Sequence, residues 1–306
     1  MMLKRIFLIL LQVLAIYIVT FMLLHLIPGD PIQVMLGESA SLADQNKLRM
    51  QLGLDKSIYL QLSSSLVKVF QGDFGVSILN HKPVLEQLIN AGRNTYILAG
   101  ASLLIALSCG LMGGIISAKF HNSAVDKIIM SISIFFISIP HFFLGPLLIL
   151  FFSIWLGWFP VNGIGSFSSI VLPAFTLALG LIAIIVKLTR NCMLELIDSD
   201  IVRTARAKGL SEWAVLINHV FRLVLIPIIS VLGMQFGSLL SGAVITETIF
   251  SWNGIGMLLV DSIQTRDYPI TQACIFVIAL SYVLVNILTD FIYKVADPRM
   301  RTSKIA

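Results

Sequence analysis

Six long apolar runs dominate this sequence and restrict the chain to one class of fold. Each run has about 20 residues or more, enough for an α-helix to cross a hydrocarbon core of about 30 Å. The chain is 57% hydrophobic and only 12% charged, whereas soluble domains carry about 25% charged residues. We therefore predict an all-α, polytopic membrane protein with about six transmembrane helices, at residues 6–27, 96–118, 128–156, 170–189, 224–249 and 270–293.

The first and third runs are unusual. The first follows Lys4 and Arg5 as in a signal peptide, but its apolar core is about 22 residues long and has no small-residue cleavage site, so an uncleaved anchor is expected. The third contains Pro140 and Pro146, and the five residues between them are too few to form a turn outside the bilayer. A single long, kinked helix is predicted there.

Positive charge is distributed unequally between the two sides of the predicted spans. Short segments on one side carry 14 Lys and Arg residues, whereas segments 157–169 and 250–269 on the other carry only Arg266. Because short cytoplasmic segments are rich in Lys and Arg, both termini are predicted to be cytoplasmic. The chain then divides into a tail with the first helix (1–27), an extracytoplasmic segment (28–95) and a core (96–306) containing a cytoplasmic loop (190–223).

The sequence lacks the residues that several classes of function require. No lysine follows a glycine, so the chain has no phosphate-binding loop of its own, and no histidine lies at metal-ligand spacing. The net charge of +5 reflects topology and not nucleic acid binding, because the basic residues form no stripe. The ionisable groups of the spans lie near their ends, where interfacial, solvated positions are expected and no catalytic pair forms. They are Lys187, Glu247 and Asp290, with a lone His141 beside a proline.

Small residues recur at helical spacing in two spans. One ridge consists of Ala106, Gly110, Gly114 and Ala118, and the other of Gly233, Gly237 and Ser241. Because small residues let helix backbones approach closely in lipid, both ridges are interpreted as packing surfaces and not as a substrate lining.

The cytoplasmic loop after the fourth span is far longer than a helix reversal needs. Asp200 is predicted to be the N-cap of a short helix, Gly209 to end it in the left-handed conformation, and Ser211 to cap a second helix from Glu212. The apolar face of the first helix is formed by Ile201, Val202 and Ala205, and its outward basic residues are Arg203, Arg206 and Lys208. By spacing alone, an amphipathic helix on anionic lipid is an equally good interpretation.

The loop sequence RTARAKGL, residues 203–210, resembles the coupling motif of ABC importer permeases of the dipeptide, oligopeptide, glutathione and nickel group. Other segments are similar to the same family in order. They are PGDP (28–31), LGLD (52–55), GDFGVS (72–77), ETIFSWNGIGMLLVDSI (247–263), RDYP (266–269) and DPR (297–299). Ser57 and Asn253 stand where the family usually has proline, and Ile201 where it often has tyrosine.

This resemblance implies a type I ABC importer permease in the bacterial inner membrane. The implied partners are a second, similar permease forming a heterodimer, two ATP-binding subunits and an extracytoplasmic substrate-binding protein. No cofactor is expected in this chain, since ATP and Mg would be bound by the ATP-binding subunits. The implied ATPase-coupling residues are Asp200, Arg203, Thr204, Ala205, Arg206, Ala207, Lys208, Gly209, Leu210 and Ser211.

The substrate is less constrained by the sequence. Di- and oligopeptides are the first expectation, with glutathione, nickel or a metal chelate as alternatives, and Glu247 and Asp261 are candidate residues of the translocation pathway. An ion-coupled carrier is the alternative from another class, although the matching midplane charges and broken helices of such carriers are not evident.

The extracytoplasmic segment is predicted to be helical. Ser41 and Asp44 form a capping-box pattern, Gly53 is suited to end that helix, and Ile58, Leu62 and Leu66 give the next helix an apolar stripe. We expect this segment to be a docking platform for the binding protein, the alternative being a structural cap over the pore.

Overall fold

The computed structural model describes residues 2–26, 32, 41–51 and 53–296, and within these ranges the chain is helical, with one isolated bridge between Val76 and Pro83. The helices are α1 Met2–Leu26, α2 Leu42–Gln51, α3 Ile58–Phe70, α4 Val84–Lys119, α5 Ala124–Ser138, α6 His141–Leu148, α7 Phe167–Ile197, α8 Asp200–Ala207, α9 Glu212–Val215, α10 Arg222–Ile249, α11 Ile255–Gln264 and α12 Tyr268–Ala296. Two π-helical stretches, Ile149–Trp155 and Leu216–Phe221, follow α6 and α9.

The predicted all-α membrane fold is confirmed. Within the described residues, α4, α7 and the Tyr268–Thr289 part of α12 are each long and apolar enough to cross a membrane. Two bent pairs, α5 with α6 and α9 with α10, bring this number to five. The 25-residue α1 is roughly 37 Å long, and a sixth span there stays a prediction.

The prediction of a single kinked helix for the third span is wrong. α5 ends at Ser138, α6 begins at His141, and the chain bends by 111° between them. Ile139 is extended (φ −92°, ψ 121°), because the ring of a following proline disfavours the helical conformation of the residue before it. Pro140 therefore breaks this span, whereas Pro146 lies inside α6.

Two span boundaries also differ from the prediction. α4 begins at Val84 instead of residue 96, and α7 continues to Ile197 instead of ending at residue 189. The 36 residues of α4 are roughly 54 Å long, so this helix extends well beyond the hydrocarbon core. Apolar runs mark where lipid begins and not where helix ends, which explains both differences.

The described helices pack in two units, one of residues 1–95 with 253–283 and the other of residues 96–252 with 284–306. In the first unit the start of α4 packs with α11 and α12 through a buried cluster containing Val84, Leu88, Ile255 and Cys274. In the second unit α4, α7 and α10 bury a cluster that includes Leu98, Ala106, Leu177, Ile185 and Leu239.

The glycine ridge of α4 lies against α7. A methyl group at Gly110 would approach Ile185 Cβ to 2.7 Å, and one at Gly114 would approach Thr189 Cβ to 2.5 Å and the Val186 carbonyl oxygen to 3.0 Å. On α10, a methyl group at Gly233 would collide with Thr289. The close approach of backbones is therefore present at the α4 ridge, whereas Gly233 packs against a side chain. The Ser241 side chain lies outside the described residues.

Gly114→Ala is expected to destabilise the protein by about 1–3 kcal/mol, because the added methyl meets a backbone oxygen that cannot move aside. Gly100→Ala on the same helix is the control, since nothing lies within 4 Å of its added methyl and alanine is the better helix former. The measurement is the thermal midpoint of both purified variants in the same detergent. Equal midpoints would contradict the close packing.

Candidate functional site

The segment predicted to be cytoplasmic folds as a hairpin over residues 198–221 (the cytoplasmic hairpin), and this hairpin contains most of the predicted site. Its first helix, α8, has Ser199 as N-cap (φ −70°, ψ 156°) and Asp200 as its first helical residue. The prediction of Asp200 as N-cap is thus wrong by one position. The Asp200 carboxylate instead lies in the first turn, where negative charge is favourable next to the unpaired N–H groups of a helix.

The predicted turn after α8 is confirmed. Gly209 has φ +76°, and its N–H donates to the Arg206 carbonyl at 2.9 Å. Nothing lies within 4 Å of a methyl group at this position, so within this chain only the left-handed backbone requires glycine. Ser211 then caps α9 by accepting a hydrogen bond from the Ala214 N–H at 3.4 Å, as predicted.

A bidentate ion pair joins the two arms of the hairpin. Arg206 of α8 donates to Glu212 of α9 through Nε (2.9 Å) and Nη2 (3.2 Å). Hydrogen bonding to Glu212 raises the pKa of the Arg206 guanidinium above its usual value. Because both groups are exposed to water, the pair contributes little to stability, but its two parallel bonds fix the angle between the arms.

The underside of the hairpin is apolar and lies on the membrane-spanning helices. Val202, Ala205 and residues of the second arm join a buried cluster with Met193 of α7, Val224 of α10 and Ala118 of α4. Ala205 is only 3% exposed, so its small side chain lets α8 approach its own helices closely. Ile201, predicted for the same apolar face, is 51% exposed.

Two polar contacts that sequence reasoning missed hold the hairpin and its supporting helices. The Lys119 Nζ at the end of α4 lies 3.6 Å from the ring centroid of Trp213 in α9, a close cation–π contact. The Arg190 guanidinium of α7 binds both oxygens of Asp126 of α5, at 2.7 and 2.8 Å. No spacing pattern reveals such pairs, since Asp126 and Arg190 are 64 positions apart.

Asp126 is the centre of this second contact. Its carboxylate is buried and also accepts hydrogen bonds from Ser117 Oγ and from the Asn122 N–H, while His121 Nδ1 lies 3.0 Å from Arg190 Nη2. The cytoplasmic ends of α4, α5 and α7 are thereby joined through one side chain. A buried carboxylate with a bidentate partner and further donors makes a geometrically specific junction.

One side of α8, next to the buried Ala205, is open. A groove of about 390 Å³ lies along α8, lined by Asp200, Ile201, Thr204, Ala205, Lys208, Leu210 and His219. All ten predicted coupling residues lie in α8 or the following turn, and all except Ala205 are exposed. The arrangement offers a partner a stiff, exposed helix whose orientation is fixed by contacts beneath it.

The candidate pathway residues have different environments. Glu247 of α10 is fully buried, so the expectation that it is interfacial and solvated is wrong, whereas Asp261 of α11 is exposed. Lys187 is exposed, as expected. The side chains of His141 and Asp290 lie outside the described residues.

Two of the outer signature segments meet in the first unit. Ser77 Oγ of the GDFGVS segment donates to the buried Asp267 carboxylate of RDYP. The turn at Asn253, where the resemblance leads one to expect proline, is held by the Asn94 side-chain amide, which donates to the Asn253 carbonyl at 2.8 Å. This hydrogen bond ties the turn to α4.

Comparisons with known proteins give consistent matches. Residues 110–302 match the family described as binding-protein-dependent transport system inner membrane component, and residues 1–98 match its N-terminal membrane component family. The chain is 38% identical over 284 residues to the glutathione transport system permease protein GsiC of Escherichia coli K12, covering 93% of each chain. GsiC of Shigella boydii serotype 4 is 37% identical with the same coverage.

Two solved structures are similar in fold. The MetNI methionine ABC transporter, in inward-facing conformations, aligns with a TM-score of 0.53 at 18% identity, over 70% of this chain and 94% of that one. An amino acid ABC transporter with histidines aligns with a TM-score of 0.52 at 15% identity, over 68% and 94%. At these identities the likeness concerns the fold alone, and it confirms the predicted all-α architecture.

Arg190→Ala is expected to destabilise the protein by about 3–5 kcal/mol, because it leaves the Asp126 carboxylate buried without its counter-charge. Lys187→Ala, three residues earlier on α7 and exposed, is the control and should be neutral. The double variant Asp126→Leu with Arg190→Met should regain most of the loss, since no charge is then buried. Thermal midpoints of the purified variants test this, and a neutral Arg190→Ala would refute the junction.

Proposed function

Because the chain belongs to the family of binding-protein-dependent transport system inner membrane components, which are membrane subunits of bacterial ABC importers, we propose that it forms half of a translocation pore with a second, similar permease. Family matches that together cover nearly the whole chain are the observation that carries this proposal. The second permease forms a heterodimer with this chain, and two ATP-binding subunits complete the importer on the cytoplasmic side.

The cytoplasmic hairpin transmits the movement of an ATP-binding subunit to the pore. A lever of this kind must be stiff and must be fixed to the helices that it moves. The apolar underside on α4, α7 and α10, the Lys119–Trp213 contact and the Arg206–Glu212 pair support this role. The exposed residues of α8, with Lys208 and Gly209, form the contact surface.

ATP hydrolysis belongs to the partner subunits. This chain has no phosphate-binding loop in its sequence, and we assign it no catalytic role and no cofactor. ATP and Mg are bound by the partners, and the chain converts their closure into a change of access at the pore.

The cargo is a short peptide brought by an extracytoplasmic binding protein. Glutathione, itself a tripeptide, is the first ligand to test because relatives 37–38% identical are named glutathione permeases. Dipeptides and longer peptides follow, with nickel or a metal chelate as further alternatives. Docking of the binding protein is assigned to the extracytoplasmic segment, where the polar helix α2 is exposed and carries the Ser41–Asp44 cap.

Reconstitution tests the function and the cargo together. The complete importer in nanodiscs should hydrolyse ATP several-fold faster when binding protein and glutathione are added than with binding protein alone. A dipeptide panel and nickel are tested in the same assay. Absence of a co-purifying ATP-binding subunit, with uptake that follows an ion gradient, would instead support a secondary carrier.

Gly209→Asn tests whether this residue also contacts the ATP-binding subunit. Asparagine adopts the left-handed conformation with little strain, so the hairpin stays folded while a side chain is added to its outer face. We expect uptake to fall at least tenfold with unchanged membrane levels and thermal midpoint.

Gly157→Asn is the matched control, because Gly157 has φ +65°, also lacks neighbours within 4 Å and lies outside the hairpin. Uptake by this variant should equal that of the unmodified importer. Unchanged uptake by Gly209→Asn would mean that Gly209 serves the turn alone.

A further inference from the structure

Helix α3 carries an apolar face that the described part of the chain does not cover. None of its residues is buried, and the half-buried ones share one side: Gln61, Leu62, Ser65, Leu66 and Val69. The opposite side carries Tyr59 and Phe70, 80% and 79% exposed, together with exposed Leu60 and Val67. Soluble surfaces seldom present several large apolar groups side by side without a partner.

The serines on the exposed side are satisfied within the helix. Ser63 Oγ donates to the Leu60 carbonyl at 3.1 Å, and Ser64 Oγ donates to the Gln61 carbonyl at 2.9 Å. A hydroxyl bonded in this way does not need water, which is how serine is accommodated at lipid-facing positions of membrane helices. The exposed side of α3 therefore has no polar group that demands hydration at its centre.

A contact with α1 gives the depth of α3. The Ser65 hydroxyl is hydrogen-bonded to the hydroxyl of Tyr17, which is 2% exposed. Tyr17 lies nine residues before Leu26, the last residue of α1, or roughly 14 Å along the helix from its extracytoplasmic end. The middle of α3 thus lies beside a residue well inside the span.

Helix α12 gives the same depth independently. Ser77 is bonded to Asp267, just before the extracytoplasmic end of α12, whereas Phe276 packs on Phe74 (6.3 Å between centroids) and on Tyr17 (5.4 Å). Phe276 is nine residues beyond Asp267, or roughly 13 Å deeper. Phe74, three residues before Ser77, therefore lies deeper along α12 than Ser77 does, on the side of the chain that leads back to α3.

We propose that α3 lies in the outer leaflet of the membrane, with the face formed by Tyr59, Leu60, Val67 and Phe70 against lipid. Val19 and Leu23 on the outer half of α1 are also exposed, so the lipid-facing surface of α1 continues at the depth of α3. The exposed Lys68 at the edge of this face reaches the phosphate region with its long side chain. This lipid contact goes beyond the proposed transport function and leaves α2 and residues 71–83 to meet the binding protein.

Single-cysteine labelling in nanodiscs tests the position of α3. The background is the complete importer with Cys109, Cys192 and Cys274 of this chain replaced by serine. The test variants are Val67→Cys and Leu60→Cys, with Asn46→Cys on the exposed, polar α2 as the water control and Leu11→Cys on α1 as the lipid control. Reaction with a membrane-impermeant maleimide and collision of an attached nitroxide with oxygen or a water-soluble nickel chelate are measured.

Both test positions should react at least tenfold more slowly than Asn46→Cys, and their nitroxides should favour oxygen over the chelate as at Leu11→Cys. Rates equal to that of Asn46→Cys would overturn the proposal. Protection that appears only after the binding protein is added would also overturn it, because the covering partner would then be protein. Neither readout depends on transport, so a failure here is distinguishable from a failure of the proposed function.

Discussion

The hydrocarbon core accepts backbone only when every N–H and C=O is bonded within the protein, and this constraint governs the whole structure. It explains why the described chain is helical, and why helices break only where another group or the membrane surface takes over their bonds. The chain departs from this pattern at Pro140 and the extended Ile139, where a helix breaks inside a predicted span. Without a hydrophobic driving force between helices in lipid, association depends on close backbone approach, which Gly110 and Gly114 provide.

The cytoplasmic hairpin solves a different physical problem, since it must protrude into water and remain rigid. Its rigidity comes from below, through an apolar cluster shared with three membrane-spanning helices, and from its flanks, through Lys119 on Trp213 and Arg206 on Glu212. The outer side of α8 makes few contacts with the rest of the described chain and stays exposed to a partner. Burial beneath and exposure above are the two properties that the proposed coupling role requires of this hairpin.

The sequence predicted those features that depend on local chemistry. Gly209 and Ser211 were located correctly, because a left-handed turn and an N-cap each have a strong residue preference. The helices long and apolar enough to cross a membrane were located from apolar length, while their ends were not, because a helix such as α4 continues past the lipid. Spacing left a coupling helix and a lipid-bound amphipathic helix open, and the resemblance led to the coupling role that we propose.

Contacts between distant positions escaped prediction. Folding brings Arg190 together with Asp126 across 64 positions, and Ser77 with Asp267 across 190 positions. In the sequence these are ordinary polar residues. Glu247 was misjudged for the same reason, because burial at a span end depends on neighbouring helices that no single sequence reveals.

Arg190 has two roles in the description of this chain. In the sequence it is one of the 14 positive charges from which the cytoplasmic side of the short segments is predicted. Once the helices associate, Asp126 neutralises that charge, and the guanidinium becomes a clasp between α5 and α7. Near the ends of these helices the folded protein thus presents less positive charge than a count of its Lys and Arg residues indicates.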